Sequence, residues 1–233
     1  MFEATPNFPG QYYDLQVEAP DAQFDFSGVF LTHAHIGHYT GLMFLGHEVM
    51  GASNVPVYAM PRMTDYLQQN GPWSQLVLFK NIALQPLRDK STVKLGSVNV
   101  TPFLVPHRDE YSETVGYRIE GPNKSAIFIP DINKWQDWDT DIVELIKSVD
   151  YALIDGAFFA DGELPGRDMS VIPHPFVSET MALLKDAAPS VRNKVWFIHM
   201  NHTNPLLDAS SKESQQVKSL GYHVATEGVR LDL

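Results

Sequence analysis

The residues with the most chemical potential in this sequence are its nine histidines, at positions 33, 35, 38, 47, 107, 174, 199, 202 and 223. Three of them fall together in Thr32-His33-Ala34-His35-Ile36-Gly37-His38. His33 and His35 are two apart and share one side of an extended segment, whereas the three-residue step from His35 to His38 suits a turn. Neutral imidazoles bind zinc, iron, nickel or copper, with zinc at about 2.0–2.1 Å. The triple follows the apolar run Val29-Phe30-Leu31 and precedes Tyr39-Thr40-Gly41-Leu42. It is therefore expected where a strand ends and a helix opens, the edge at which α/β folds bind ligands.

A surface histidine-rich loop is the plain alternative, and three other places argue against it. The apolar residues 98–105 run into Pro106-His107-Arg108-Asp109, residues 125–129 into Pro130-Asp131, and residues 195–198 into His199-Met200-Asn201-His202-Thr203-Asn204-Pro205. One His or Asp after a strand is usually a cap or turn residue. The same arrangement repeated after the triple is the signal.

These residues need elements to position them. Strand-like runs occupy residues 29–32, 55–60, 81–87, 98–105, 115–119, 125–129, 151–154, 195–198 and 222–225. Helical patterns occupy residues 61–69, 141–149, 176–188 and 211–220. Pro61 starts the first of these, Pro189 stops the third and Gly221 ends the fourth. Strands and helices alternate in the second half, which predicts an α/β layered fold. No repeat or linker interrupts residues 1–233, so one domain is expected.

Composition narrows the function. Of 233 residues, 17 are Lys or Arg and 28 are Asp or Glu, a net charge of −11 that disfavours phosphate-backbone binding and hence a nuclease or nucleic-acid reader. Cys is 0, which excludes disulfides, Fe–S clusters, thiolate zinc sites and a Cys nucleophile. No apolar run approaches a membrane span, and MFEATPNFPG shows no basic-then-apolar leader. The expectation is a protein with a small-molecule substrate, no nucleic-acid or membrane partner, and a cytoplasmic location by default.

The motifs together resemble the metallo-β-lactamase fold superfamily. Its signature is H-x-H-x-D-H with a later Gly, then a distant His, a bridging Asp and a final His, each at a strand end. Here these fall on His33, His35, His38 and Gly41, then His107, Asp131 and His199, and the resemblance spans essentially the whole chain. The run from His199 to Pro205, with Ile129-Pro130-Asp131 and Asp155-Gly156, is similar to the pyrroloquinoline quinone biosynthesis B branch. The resemblance implies an αβ/βα sandwich. It assigns His33, His35 and His107 to one metal and His38 and His199 to a second, with Asp131 bridging and catalytic, and one or two zinc ions, or iron, as cofactor. Two departures stand out. The signature Asp is Gly37, which leaves the second site short of a carboxylate. Only 32 residues precede His33, so the first strands of the usual domain are expected to be missing, and an export signal could be missing with them.

Further residues carry weaker expectations. His202 could transfer protons or support a ligand in place of the absent Asp, or simply bond within its loop. His174, between prolines in Ile172-Pro173-His174-Pro175, could line a pocket. Asp155 could hold a ligand His or shape a turn, Tyr39 and Arg108 could face substrate or solvate and pack, and Trp135 and Trp138 could wall a hydrophobic pocket or pack. His47 and His223 read as structural. Three functions compete. The leading one is a metallohydrolase of a small ester, lactone or related bond. The second is an iron-dependent oxidative enzyme, because the resembled branch is associated with hydroxylating a tyrosine-derived precursor. The third is a non-enzymatic or degenerate member whose incomplete sandwich could dimerise with a second copy as a homodimer or fold poorly.

Overall fold

The computed structural model describes residues 1–18 and 26–233, and these sort into two units, Met1–Ser91 with Asp109–Val115 and Thr92–Arg108 with Gly116–Leu233. In the first unit, β1 (Val29–Phe30), β2 (Val55–Ala59) and β3 (Ile82–Pro86) form an all-parallel sheet in that order, with Val29 opposite Val57 and Val55 opposite Ile82. Phe2 adds an isolated parallel bridge to Phe30, and Glu3 N donates to Phe30 O at 2.8 Å. This register carries the Glu3 side chain to the end of β1, where the triple-His loop begins.

Helices α1 (Phe8–Glu18), α2 (Ile36–Tyr39), α3 (Pro61–Gln69) and α4 (Trp73–Leu78) belong to the same unit. Pro61 sits in the first turn of α3, where its missing N–H has no helical partner to lose, and Met63 and Leu67 turn inward. They join Phe8, Leu31, Tyr39, Leu42, Leu45 and Val57 in one buried cluster. Hydrophobic periodicity gives no helix at 8–18, and the reason is plain: α1 buries only Phe8 and has no apolar stripe.

Gly41 locks the triple-His loop to residues 4–8. Ala4 N donates to His38 O at 2.9 Å and Gly41 N donates to Ala4 O at 2.8 Å. A Cβ at Gly41 would lie 2.2 Å from Thr5 O and 2.5 Å from Phe8 Cβ, so the chain must part to admit one. Gly41→Ala should therefore destabilise the protein by about 1–3 kcal/mol, the usual scale of overpacking. Urea unfolding checks this, and an unchanged midpoint would show that residues 4–8 yield without cost.

In the second unit a seven-stranded sheet runs β10 (His223–Val224), β9 (Val195–Ile198), β8 (Tyr151–Asp155), β7 (Ser125–Ile129), β6 (Val115–Glu120), β5 (Val98–Leu104), β4 (Val93–Leu95). The strands from β7 to β10 are mutually parallel, while β6 meets β7, and β4 meets β5, antiparallel. Ile127, Ile129, Ile154 and Phe197 from these strands pack with Ile146, Val177 and Val217 from the helices α5 (Ile142–Lys147), α6 (Val177–Leu183) and α8 (Lys212–Ser219). Asp141 caps α5, accepting from Val143 N at 2.8 Å and Glu144 N at 3.3 Å.

The helix expected over residues 176–188 is α6, which ends well before Ala188. α6 ends at Leu183, and α7 (Pro189–Arg192) starts afresh. Residues 184–188 form a turn between them, and Ala188, the residue before Pro189, is held extended at φ −57° and ψ 146°. Among the described residues, no helix is long and apolar enough to cross a membrane.

Candidate metal-binding clusters

In the first unit, Glu3, His33 and His38 are all buried, and each brings a ligand-type atom within 4.8 Å of the others. Hydrogen bonds fix the imidazole tautomers here. Thr32 Oγ1 donates to Glu3 Oε1 at 2.7 Å, so its oxygen is left to accept from His33 Nδ1 at 3.0 Å. His33 Nδ1 thus carries the proton and Nε2 carries the lone pair. His35 Nε2 lies 3.1 Å from the Glu110 carboxylate, which only accepts, so in the neutral ring its lone pair is on Nδ1. These two lone-pair nitrogens, His33 Nε2 and His35 Nδ1, face each other at 2.9 Å. Two lone pairs at that distance repel, and a shared cation turns the repulsion into coordination. His38 Nδ1 faces Glu3 Oε1 at 2.5 Å, which leaves its Nε2 as a donor too. The donor chemistry therefore fits a bound metal.

The second unit gathers its ligand-type residues through sheet register. β7, β8 and β9 are parallel, with Ile129 opposite Ile154 and Asp155 opposite Ile198, so residues following all three strands emerge at one sheet edge. Asp131 is 4% exposed there, with Oδ1 3.2 Å from His107 Nε2 and 3.2 Å from His174 Nδ1, and Oδ2 4.0 Å from His199 Nε2. His107 Nδ1 lies 3.3 Å from Asn133 Oδ1, a partner that orients the ring. His199 holds a left-handed backbone, φ +63°, an uncommon conformation for a bulky residue. Asn201 N donates to Ala157 O at 2.9 Å and buried Asn204 donates from Nδ2 to Gly156 O at 2.7 Å, and these bonds hold the loop that imposes it.

Asp155 underpins this edge. It is fully buried, accepts from His174 Nδ1 at 2.8 Å, from Ile132 N at 3.2 Å and from Ala157 N at 2.9 Å, and lies 3.9 Å from His199 Nδ1. Burial pushes its carboxyl pKa up, but the charge and hydrogen bond of His174 and contact with His199 outweigh it and hold the pKa below the usual range. The same pairing raises His174: burial opposes its protonation, and the charge and hydrogen bond of Asp155 with the charge of Asp131 prevail.

The other candidates are placed as follows. His174 joins Asp131 and Asp155, whereas His202 is exposed on its loop and stands outside that group. Tyr39 is buried, with its hydroxyl 2.8 Å from that of Tyr66, and Arg108 is exposed. Trp135 donates Nε1 to Thr180 Oγ1 at 2.9 Å, and Trp138 stacks on Phe103, so both pack. Both also line a cavity of about 690 Å³, with Asp139, Glu179 and Leu183. His47 is exposed, and His223 stacks on Trp196. Sequence reasoning passed over Glu3, Thr32 and Glu110. The signal for Glu3 was its place beside Phe2, but only the bridge to Phe30 brings it to the histidines.

Residues 1–200 match the family model of the beta-lactamase superfamily domain. The chain belongs to the metallo-β-lactamase superfamily. The superfamily's α/β fold is the one found here. Within it, the chain is 25% identical to coenzyme PQQ synthesis protein B of Nitrosococcus oceani, over 100% of this chain and 83% of that protein. It is 26% identical to the same-named protein of Xanthomonas campestris over equal shares. Among solved structures, Zn(2+)-bound PqqB from Methylobacterium extorquens shares the fold with a TM-score of 0.78 and 22% identity, covering 100% of this chain and 82% of that one. A diphosphatase of the PhnP family follows at a TM-score of 0.63 and 18% identity, covering 100% and 79%. The chain is thus a PqqB-like member of the superfamily.

In this superfamily member, Gly37 stands where the signature has Asp. It is exposed, and a Cβ there would meet nothing within 4 Å, so a side chain is sterically free to return. If the chain takes up two zinc equivalents, Gly37→Asp should tighten the weaker about tenfold or more, within the range over which even outer carboxylates tune metal affinity. Zinc titration against a chromophoric chelator reads this directly. An unchanged second equivalent would show that a carboxylate at 37 does not reach a bound ion.

Proposed function

We propose that this PqqB-like chain is a metal-dependent hydrolase of a small, neutral ester, lactone or related bond. The observation that carries the proposal is the pair of facing lone-pair nitrogens on His33 and His35, 2.9 Å apart, whose other ring nitrogens are both committed. By their place in the motif, His33, His35 and His38 of the first unit, and His107, Asp131 and His199 of the second, are the residues that would hold metal. Zinc, or alternatively iron, when bound, would acidify water to a pKa of about 7 and polarise the substrate oxygen.

The chain's own residues supply the rest. One oxygen of Asp131 lies 3.2 Å from both His107 Nε2 and His174 Nδ1, so its charge faces both rings. His174 holds its Nδ1 proton against Asp155 at 2.8 Å, and the carboxylate beside it shifts its pKa upward, the direction that suits a group giving a proton to a leaving group. Asp155 fixes that ring and remains ionised. The net charge of −11 favours neutral over polyanionic substrates.

A second reading, an iron-dependent oxidative enzyme, is favoured by the similarity to coenzyme PQQ synthesis protein B and by the absent carboxylate at Gly37. Elemental analysis of protein purified without chelator, paired with ester and lactone turnover in air and under nitrogen, separates the two. Zinc with oxygen-independent turnover supports the hydrolase. Iron with oxygen-dependent chemistry supports the oxidative reading, and absence of any metal overturns both.

A further inference from the structure

The carboxylate missing at Gly37 leaves the triple-His loop without an acidic residue of its own between Thr32 and Thr40. The structure brings one from elsewhere. Glu3 is buried, reaches the loop from a segment bridged to β1, and holds a left-handed backbone at φ +64°. A glutamate gains nothing intrinsic from that conformation, and the surrounding bonds from Glu3 N to Phe30 O and from Ala4 N to His38 O hold it there.

One oxygen of this carboxylate serves two histidines. Glu3 Oε1 accepts from His38 Nδ1 directly at 2.5 Å, and from Thr32 Oγ1 at 2.7 Å, while Thr32 Oγ1 in turn faces His33 Nδ1 at 3.0 Å. Both rings are thereby fixed with the proton on Nδ1 and the lone pair on Nε2. A carboxylate behind an imidazole also makes its other nitrogen a stronger donor. Each of these side chains is buried, so water offers little competition for the bonds.

We propose that Glu3 is the positioning residue of the triple-His loop: a single buried carboxylate that sets the tautomer of His38 by direct contact and that of His33 through Thr32, and so raises their affinity for a divalent metal. The inference deepens the metal-binding reading and rests on it for the affinity claim. The tautomer claim concerns the metal-free protein and stands by itself.

The test uses full-length protein with its histidines labelled with ¹⁵N. In metal-free wild type, long-range ¹H–¹⁵N spectra should show His33 and His38 protonated at Nδ1. Glu3→Ala should move both rings toward the Nε2-protonated form, and Thr32→Val should move His33 alone. Zinc affinity by chelator competition should fall about 10–100-fold in Glu3→Ala. Glu3→Gln keeps an acceptor oxygen but not the charge, so it should retain the tautomers and lose less affinity. It also keeps the test alive should Glu3→Ala not fold. Unchanged tautomers in Glu3→Ala, or a Thr32→Val variant in which both rings change alike, would overturn the proposal. Wild-type protein that takes up no zinc, with the tautomers as expected, would sink the metal reading while leaving Glu3 as the residue that orients both rings.

Discussion

Asp131→Ala should cost more than 100-fold in metal affinity, about 2.7 kcal/mol, and should abolish metal-dependent turnover. Its two oxygens meet three histidine rings, His107 and His174 at 3.2 Å and His199 at 4.0 Å, in a setting that is 4% exposed. On the proposed metal site, removing it would take away a direct anionic donor, and even outer-shell partners of metal ligands are worth about 10–100-fold. The loss should appear in equilibrium dialysis with zinc as well as in turnover. Asp131→Asn keeps the shape and removes the charge, so it should bind metal more weakly than wild type yet more tightly than the alanine variant. Retention of wild-type affinity in both variants would remove Asp131 from the metal site.

Asp155→Ala should be the most destabilising single change in the second unit, at about 3–5 kcal/mol, the range for breaking a buried charged pair. The carboxylate is wholly buried and satisfies His174 Nδ1, Ile132 N and Ala157 N together. Without it, two backbone N–H groups lose their acceptor and half-buried His174 loses the nearer of its two carboxylates. Chemical denaturation of chelator-treated protein measures the stability loss free of any contribution from metal. A loss below about 1 kcal/mol would mean that water replaces the carboxylate at little cost. Because the folded-state pKa of Asp155 is depressed, its stabilisation is present above the unfolded carboxylate pKa and disappears as pH falls through the folded value. The wild type should therefore lose stability in acid faster than Asp155→Ala does.

Much of the fold was written locally. The α3 helix and the strands β7 and β9 lie where residue pattern placed them, because each carries its own terminator and a run of inward apolar residues. α1, α4 and the short β4 escaped notice. α1 buries one residue, and β4 has three residues whose pairing with β5 comes from its neighbour rather than from its own sequence. The expected helix at 176–188 ran past its true end because a turn at 184–188 keeps an apolar character that periodicity reads as helix.

The ligand-type residues show the same division. His33, His35, His38, His107, Asp131 and His199 could be named from the sequence, since motif spacing and strand ends are local features. The partners that set their protonation could not. Glu3 meets His38 across 35 positions and Glu110 meets His35 across 75, whereas Asp155, legible at its strand end as able to hold a ligand His, meets His174 across 19. Sequence alone determined which side chains can donate to a metal, because that is a property of residue type. Which of their nitrogens carries the proton was decided only by tertiary structure, because a hydrogen-bond acceptor acts over about 3 Å and only folding brings distant residues that close.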